Sequence, residues 1–476
     1  MSVGRATCLR VFPRHLRDTA TLVPAVWAVR VASVSFLSLM LPPMPASAGR
    51  LLVPEQYPSI GSAVAALGER DTVSIAPGIY SGEGNRNLLI GAIDVALIAR
   101  DGPGTVEIDC EGSSGPSRQF LAYFGNVGFG LVLRDLTIRN SWHQYGAIRL
   151  QGGGSVSIIG CDFRDNRGST DVGCLWSRGP FDLEIVGCTF ENNRGGTHRG
   201  AAGAIVSWAS TVRVEQCSVR ANRGGFILAS ECELLEVIES TIVDNDFGVW
   251  ESGTMVGFHF TDMTAIRGSL IASNSDEAVG GLGNCRIEDS TIADNAGGGV
   301  ALIGDLTVRG SVLGGNCTPE GSGWRDLKLL SGSCEIECSV IDSTGMEIDG
   351  ELVVGEGVVF AAPSYCEAAC GSFLPAGDYR LQVGSPGANG CSTCGDFVGY
   401  TDETCGGDSV GACCLGSDCE LLSESCCASA GGEFVGSGSA CSPFLCDQPV
   451  PVERRTWGGV KSRWRGLPPG ERLIEE

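Results

Sequence analysis

The chain has 476 residues, of which 70 are glycine, 20 are proline and only 7% are aromatic. Its hydrophobic fraction of 43% is ample for a continuous core and excludes wholesale disorder. The formal net charge of −23 argues against nucleic acid and anionic membranes as partners. Many short Val/Ile runs between glycines indicate an all-β chain with frequent turns.

The N-terminus has the pattern of an export signal. Arginines accompany an apolar run over residues 31–41, and Ala46-Ser47-Ala48 follows as a cleavage site. We therefore predict a signal peptide over residues 1–48, a secreted or cell-surface location and no transmembrane segment after cleavage, because the run is too short to span a bilayer comfortably. A start codon assigned too early is an alternative explanation of the long charged lead-in.

Cysteine usage favours the same compartment. Of the 23 cysteines, twelve lie between Cys366 and Cys446. In an exported chain this density indicates disulfides before metal ligands. The Cys391-Ser392-Thr393-Cys394 pair leaves zinc or redox chemistry as a minor alternative, so no metal site is predicted.

The first predicted element after the signal is a short amphipathic helix over residues 57–67, with Ser59 as its N-cap. The segment RDTVSIAPGIY then predicts a strand that breaks at Pro77-Gly78. A helix at this point would cover the first open strand edges, which a stack of coils needs for solubility.

From residue 156 to residue 316 the sequence repeats itself at irregular intervals, as in VSIIGCDFRDN, LEIVGCTFENN and VRVEQCSVRAN. Period-2 alternation places Val156, Ile158 and Phe163 inward, with equivalent residues in each repeat. A following Gly and apolar pair, as in Gly146-Ala147-Ile148, adds another strand. Variable loops around a constant core predict a solenoid with two or three parallel strands per coil.

One small residue and one asparagine recur in every repeat. The small slot holds Cys161, Cys188 and Cys217 and then serines. Either one neighbouring pair of these cysteines forms a disulfide, or all three are inert core thiols. Asparagine tolerates left-handed backbone geometry and its amide can hydrogen-bond along a stack. We predict a structural ladder formed by Asn166, Asn193, Asn222, Asn245, Asn274, Asn295 and Asn316.

These segments resemble a known family. YPSIGSAVAALGERDTVSIAPGIYSG is similar to the opening of right-handed parallel β-helix proteins of the pectate-lyase-like superfamily, although Arg70 stands where that family usually has Gly. The later YRLQVGSPGANGC and CGDFVGY resemble the ending of many secreted β-helix proteins. The resemblance implies an all-β, right-handed parallel β-helix over residues 49–409, with an N-terminal capping helix.

Two segments follow the predicted β-helix. Residues 410–447 contain seven cysteines and little apolar sequence, which predicts a small disulfide-rich module. Because seven is odd, one cysteine must pair elsewhere or stay free. Residues 448–476 form a basic tail, interpreted as disordered, with a cell-surface or sorting signal as the alternative.

Signatures of the family's polygalacturonase-like hydrolases and pectin methylesterases are missing, and no Asp cluster recurs at one slot of successive coils. The catalytic candidates are loop residues of three consecutive coils: His143, Asp171, His198 and Arg199. A carboxylate between two imidazoles could bind a metal or transfer protons. No cofactor is predicted, and calcium enters only if the chain is a lyase.

Aromatic residues on the second apolar strand offer a binding surface instead. Trp176 and Trp250 occupy corresponding slots and are expected to point outward, with Arg149 one coil before Trp176. Exposed indoles on a flat sheet can stack sugar rings. The alternative is that each indole packs under a neighbouring loop.

We therefore expect an exported protein that presents a rigid face, without catalysis, for glycan binding or surface structure. The alternative is a polysaccharide lyase or glycoside hydrolase acting on extracellular polysaccharide. Extracellular polysaccharide is the expected partner, nucleic acid is not, and the sequence leaves the oligomeric state open.

Overall fold

The computed structural model describes residues 48–112, 117–170, 172–196, 202–246, 254–317 and 326–365, with short stretches between 379 and 446. In this part of the chain the backbone winds in successive coils, and strands of neighbouring coils pair in parallel. A 22-stranded sheet contains the first and second strands of the coils, and a 12-stranded sheet contains the third strands. The predicted parallel β-helix is confirmed.

The strands fall into three columns along the axis of the stack. The first column contains Leu88–Ile90, Leu121–Phe124, Ile148–Gln151, Leu175–Arg178, Ile205–Trp208, Ile227–Ser230, Val300–Ile303, Leu327–Ser331 and Met346–Ile348. The second column contains Arg50–Val53, Asp71–Ile75, Val95–Ala99, Gly130–Arg134, Gly154–Ile159, Phe181–Val186, Thr211–Glu215, Leu234–Ile238, Leu306–Arg309, Ser333–Glu337 and Glu351–Val354. Two long strands, Thr254–Arg267 and Glu277–Glu288, run through both columns.

The third column forms the second sheet. It contains Gly78–Tyr80, Val106–Asp109, Leu136–Arg139, Asp162–Arg164, Thr189–Glu191, Ser218–Arg220, Thr241–Val243, Leu270–Ala272, Thr291–Ala293, Val312–Gly314, Val340–Ile341 and Val359–Phe360. A further short pair, Trp142–His143 with Arg167–Gly168, lies beyond it in the coil. Short 3-10 turns occur at Glu83–Asn85 and Ser343–Gly345.

Like residues stack over like residues in the core. Ile158 pairs with Ile185, which pairs in turn with Val214, and all three are fully buried. The rings of Phe163 and Phe190 stack with centroids 5.0 Å apart. This alignment explains why the inward positions recur in the sequence with the same residue types.

Two left-handed residues bend each coil. One precedes the small slot and has φ between +46° and +62° at positions such as Gly187 and Glu239. The other is the residue just before each ladder asparagine, with φ between +52° and +56° at six positions, such as Asp165 and Asn192, and +77° at Gly315. The left-handed geometry expected of the ladder asparagines therefore lies one residue earlier, where Asn, Asp, Ala, Ser and Gly all occur.

The seven asparagines form a continuous hydrogen-bonded stack, and each is at most 2% exposed. The side-chain oxygen of Asn193, for example, accepts from the backbone N–H of Asn166 at 3.0 Å and from its Nδ2 at 3.1 Å. At one end Ser141 donates its N–H to Asn166, and at the other Asn316 donates to the carboxylate of Asp326. These bonds satisfy buried backbone groups at the corner where the strands end.

The small slot forms a second ladder. Cys217 donates its backbone N–H to the hydroxyl of Ser240, and the following serines repeat the contact. Cys161, Cys188 and Cys217 are buried and free, so the disulfide alternative for this slot is wrong. The slot instead holds small side chains that accept a hydrogen bond from the preceding coil.

At the N-terminal end a helix spans Ile60–Val64 and contacts the strands Arg50–Val53, Asp71–Ile75 and Leu88–Ile90. It is shorter than the span of residues 57–67 expected from the sequence. The Ser59 hydroxyl caps the helix by accepting from the N–H of Ser62, and the Ser62 hydroxyl accepts from the N–H of Ser59. Arg70, which replaces the family's usual glycine, has φ of +66°.

Past the last third-column strand, the chain lies against the outside of that column. Tyr365, Tyr379, Leu381 and Val398 are buried there over apolar outer residues such as Leu270. Tyr379 donates its hydroxyl to the carboxylate of Asp294 at 3.0 Å. The GSPG-like ending therefore packs on the third sheet and is not a further coil in its described residues.

A separate antiparallel sheet contains Gly411–Leu415, Asp418–Leu422 and Glu433–Ser437. Three disulfides join described residues of this part: Cys413–Cys427, Cys414–Cys446 and Cys419–Cys441. Such bonds indicate an oxidising compartment. Among the described residues, no helix has the length and apolar character needed to cross a bilayer. Residues 391–394 and the predicted signal and tail lie outside the described residues.

Candidate functional site

The outer side of the first strand column carries the candidate site. Alternation turns Ile148 and Leu150 into the core and Arg149 and Gln151 outward. In the parallel register Arg149 lies beside Trp176 of the next coil, which lies beside Val206 of the following one. A second outward row aligns Phe124, Gln151, Arg178 and Trp208.

Five rings on this face form an aromatic cluster, defined by Phe124, His143, Tyr145, Trp176 and Trp208. The ring centroids of Tyr145 and Trp176 are 4.6 Å apart, and those of Trp176 and Trp208 are 6.0 Å apart. His143 contacts Tyr145 with a centroid distance of 5.6 Å. Tilted contacts at these distances are favourable for aromatic pairs.

Arg149 lies over this cluster. Its guanidinium carbon is 4.3 Å from the Tyr145 ring centroid, 5.3 Å from that of Phe124 and 5.7 Å from that of Trp176. The group also donates to Oε1 of Gln151. Three rings and one amide therefore fix the orientation of a partly exposed cation.

Of the two alternatives for Trp176, the structure shows the packed indole and not the exposed one. Trp176 points away from the core as the alternation predicts, but it is only 7% exposed because Val172, Ala202 and Val206 pack around it. The accessible ring surface belongs instead to Phe124, which is 37% exposed, and to the partly exposed Tyr145 and Trp208. Trp250 lies outside the described residues.

Of the catalytic candidates, only His143 is among the described residues, and Asp171, His198 and Arg199 lie outside them. Nδ1 of His143 accepts a hydrogen bond from the backbone N–H of Tyr145 at 3.1 Å. Burial, and then the positive charge of Arg149, lower the pKa of His143 to about 4. His143 is therefore a neutral imidazole and a weak base at neutral pH. In the described part of the chain, no group of three or more His, Cys, Asp or Glu side chains is arranged to hold a metal ion.

Sequence reasoning missed a second polar site on the same face. Glu277 opens a long strand and folds over Gly280, where a Cβ atom would collide with its Oε1. Burial and the neighbouring Asp276 raise the pKa of Glu277 to about 8, and the ammonium of Lys328 opposes them. The glycines that follow Glu277 in AVGGLGN could have indicated this site in the sequence. A glycine on an outward row leaves room for another side chain or a ligand.

The family comparison agrees with this architecture. Residues 121–253 match the family described as the right handed beta helix region. No curated protein matches the chain with significant similarity. Among solved structures, the chain is similar to the pectate lyase Pel9A, with 14% identity, coverage of 73% of this chain and 91% of that one, and a TM-score of 0.38.

Two further similar structures are A-modules of Azotobacter vinelandii mannuronan C-5 epimerases. The AlgE6 module has 16% identity, coverage of 64% of this chain and 94% of that one, and a TM-score of 0.32. The AlgE4 module has 14% identity, coverage of 63% and 94%, and a TM-score of 0.31. The matched region and the stacked parallel coils show that the chain has the right-handed parallel β-helix fold.

Proposed function

We propose that this chain is an exported extracellular or cell-surface protein that binds glycans, without catalysis, on the outer side of its first strand column. The observation that carries the proposal is the Arg149 guanidinium held over the aromatic cluster, 4.3 Å from the Tyr145 ring centroid. Sugar rings stack on partly exposed aromatic faces, and guanidinium N–H groups donate to sugar hydroxyls.

The rigidity of the platform supports binding. Arg149 and Trp176 belong to strands paired in register on both sides, so little conformational freedom is lost when a ligand arrives. The three C-terminal disulfides support an extracellular location. The low pKa of His143 supports a binding role over a catalytic one for this cluster.

A polysaccharide array probed with the full chain tests the proposal. We expect binding to at least one extended polysaccharide, with a loss of affinity of about tenfold in Trp208→Ala and in Arg149→Gln. Phe360→Ala is the matched control, since this ring is 43% exposed but lies on the third column. Absence of any binding, or equal affinity in Trp208→Ala and the unaltered chain, would overturn the proposal.

The second candidate is a polysaccharide lyase or glycoside hydrolase centred on Glu277. A carboxyl that holds its proton at neutral pH and faces a glycine-lined surface is suited to protonate a leaving-group oxygen. New reducing ends would indicate a hydrolase and unsaturated uronates a lyase, and Glu277→Gln would abolish either product. Binding without product supports the first candidate, and neither binding nor product leaves a structural surface component.

A further inference from the structure

Three arginines are stacked beside the asparagine ladder. Arg167, Arg194 and Arg223 occupy equivalent positions of three consecutive coils and form parallel bridges with one another. Each follows a ladder asparagine and precedes a glycine, in the repeated triplet Asn-Arg-Gly. We call these three residues the arginine stripe.

The backbone fixes the spacing of the stripe. The N–H of Arg194 donates to the carbonyl of Asn166 at 2.8 Å, and the N–H of Arg223 donates to that of Asn193 at 2.7 Å. The carbonyls of Arg194 and Arg223 accept from Gly168 and Gly195, each at 2.8 Å. Successive guanidinium stems therefore leave the surface about 4.8 Å apart along the axis.

The stripe is electrostatically unusual for this chain. Arg167 and Arg194 are exposed, and neither has a carboxylate within ion-pair distance among the described residues. Of the described carboxylates, Arg223 reaches only that of Asp246, at 3.7 Å. Like charges on adjacent strands destabilise a sheet, so the stripe works against folding unless an anion lies across it.

Several other arginines on the sheets are neutralised by a carboxylate of a neighbouring coil. On the second column Arg213 pairs with Glu236 at 3.3 Å, and Arg267 pairs with Glu288 at 2.8 Å. On the third column Arg220 pairs with Glu191. In a chain of net charge −23, acidic partners were available, and the described residues supply none at two of the three stripe positions.

We propose that the arginine stripe binds the carboxylate or sulfate groups of an extended anionic polysaccharide lying along the axis of the coils. This inference rests on the proposed glycan-binding function and names the charge class of the ligand. Guanidinium groups bind such oxyanions with paired hydrogen bonds.

Position and charge density select this ligand. Trp142 and His143 pair in register with Arg167 and Gly168, and His143 contacts Tyr145, so the stripe adjoins the aromatic cluster. Double-stranded DNA carries about one charge per 1.7 Å of axis. A stripe with one cation per coil suits a polymer of lower charge density, and the acidic remainder of the chain repels nucleic acid.

Titration of the full chain with a neutral, a carboxylated and a sulfated polysaccharide, and with single-stranded DNA, tests the inference. We expect binding of an anionic polysaccharide to weaken about tenfold between roughly 50 and 200 mM salt. The double variant Arg167→Gln/Arg194→Gln should lose about tenfold in affinity for the anionic polymer and keep any affinity for the neutral one. The preferred anionic polymer identifies carboxylate or sulfate as the group bound.

The control is Arg164→Gln/Arg220→Gln, because these third-column arginines already pair with Asp162 and Glu191. The inference is overturned if the stripe variant binds the anionic polysaccharide as tightly as the unaltered chain does. It is also overturned if DNA binds more tightly than either anionic polysaccharide. If Trp208→Ala weakens binding of the neutral polymer while the stripe variant changes nothing, the glycan-binding proposal survives and the stripe fails. Circular dichroism of each variant checks that the coils remain folded.

Discussion

The side-chain oxygen of Asn222 accepts hydrogen bonds from both the backbone N–H and the Nδ2 of Asn193, each at 2.9 Å. Nδ2 of Asn222 donates in turn to Asn245 and to the carbonyl of Phe190. Only a side chain with a carbonyl and an amino group on one short stem can accept from one coil and donate to the next. This requirement explains why the position keeps asparagine while the residue before it varies.

Replacing Asn222 by Ala should therefore lower the free energy of unfolding by about 3 kcal/mol, since buried donors and acceptors lose their partners. Urea unfolding followed by circular dichroism measures the change. Asn126→Ala is the control, because that exposed side chain accepts only from the neighbouring N–H of Val127. Equal stability of the two variants would show that the ladder contributes no more than a surface asparagine.

The fold could be predicted because the constraint is local and repeated. Ile158, Ile185 and Val214 show the same alternation, and stacking in register follows from that period. The packing of Tyr379 on the outside of the third column could not be derived from this alternation. It depends on an apolar outer patch formed by residues of several coils, such as Leu270 and Val312, whose proximity appears only after folding.

The buried cysteines carry the second prediction. Burial raises the pKa values of Cys110 and Cys285 to about 12, so neither forms a reactive thiolate at neutral pH. Alkylation of the native protein should leave Cys161, Cys188 and Cys217 unmodified, and alkylation in denaturant without reductant should modify all three. Peptide mapping by mass spectrometry distinguishes the two states. A disulfide-linked peptide joining any two of the three would contradict their free state.

The third prediction concerns the chain segment around Tyr379 that packs on the outside of the third column. Tyr379→Ala should lower the free energy of unfolding by about 3 kcal/mol, because the ring is 2% exposed and its hydroxyl bonds to Asp294. It should also increase binding of a hydrophobic dye, since the apolar outer patch of the third column would be uncovered. Phe360→Ala, at a 43% exposed ring, provides the comparison. An unaltered unfolding curve for Tyr379→Ala would mean that the return segment does not stabilise the third column.

The candidate site was only partly accessible to sequence reasoning. Alternation correctly turns Arg149 and Trp176 outward, but burial of the indole depends on Val172 and Ala202, which belong to loops of variable length. The arginine stripe left a readable signal in its Asn-Arg-Gly triplets. The sequence signal for Glu277 is weaker, because the environment of its carboxyl depends on Gly280 of the same strand and on Lys328, two coils further on.

Glu277 also links stability to pH. Its folded-state pKa is raised to about 8, so between about pH 4.5 and pH 8 the unfolded chain releases a proton that the folded chain retains. The free energy of unfolding must then fall as pH rises through this window, by about 1.4 kcal/mol for each unit of pKa difference.

Glu277→Gln should remove this dependence, because the amide keeps the shape of the protonated carboxyl and cannot ionise. We expect the variant to match the unaltered chain near pH 5 and to exceed it in stability near pH 8, as measured by urea unfolding at a series of pH values. The exposed Glu335→Gln is the control and should follow the unaltered chain throughout. Parallel curves for Glu277→Gln and the unaltered chain would show that Glu277 is ionised when folded, and would remove the proton donor on which the enzymatic alternative depends.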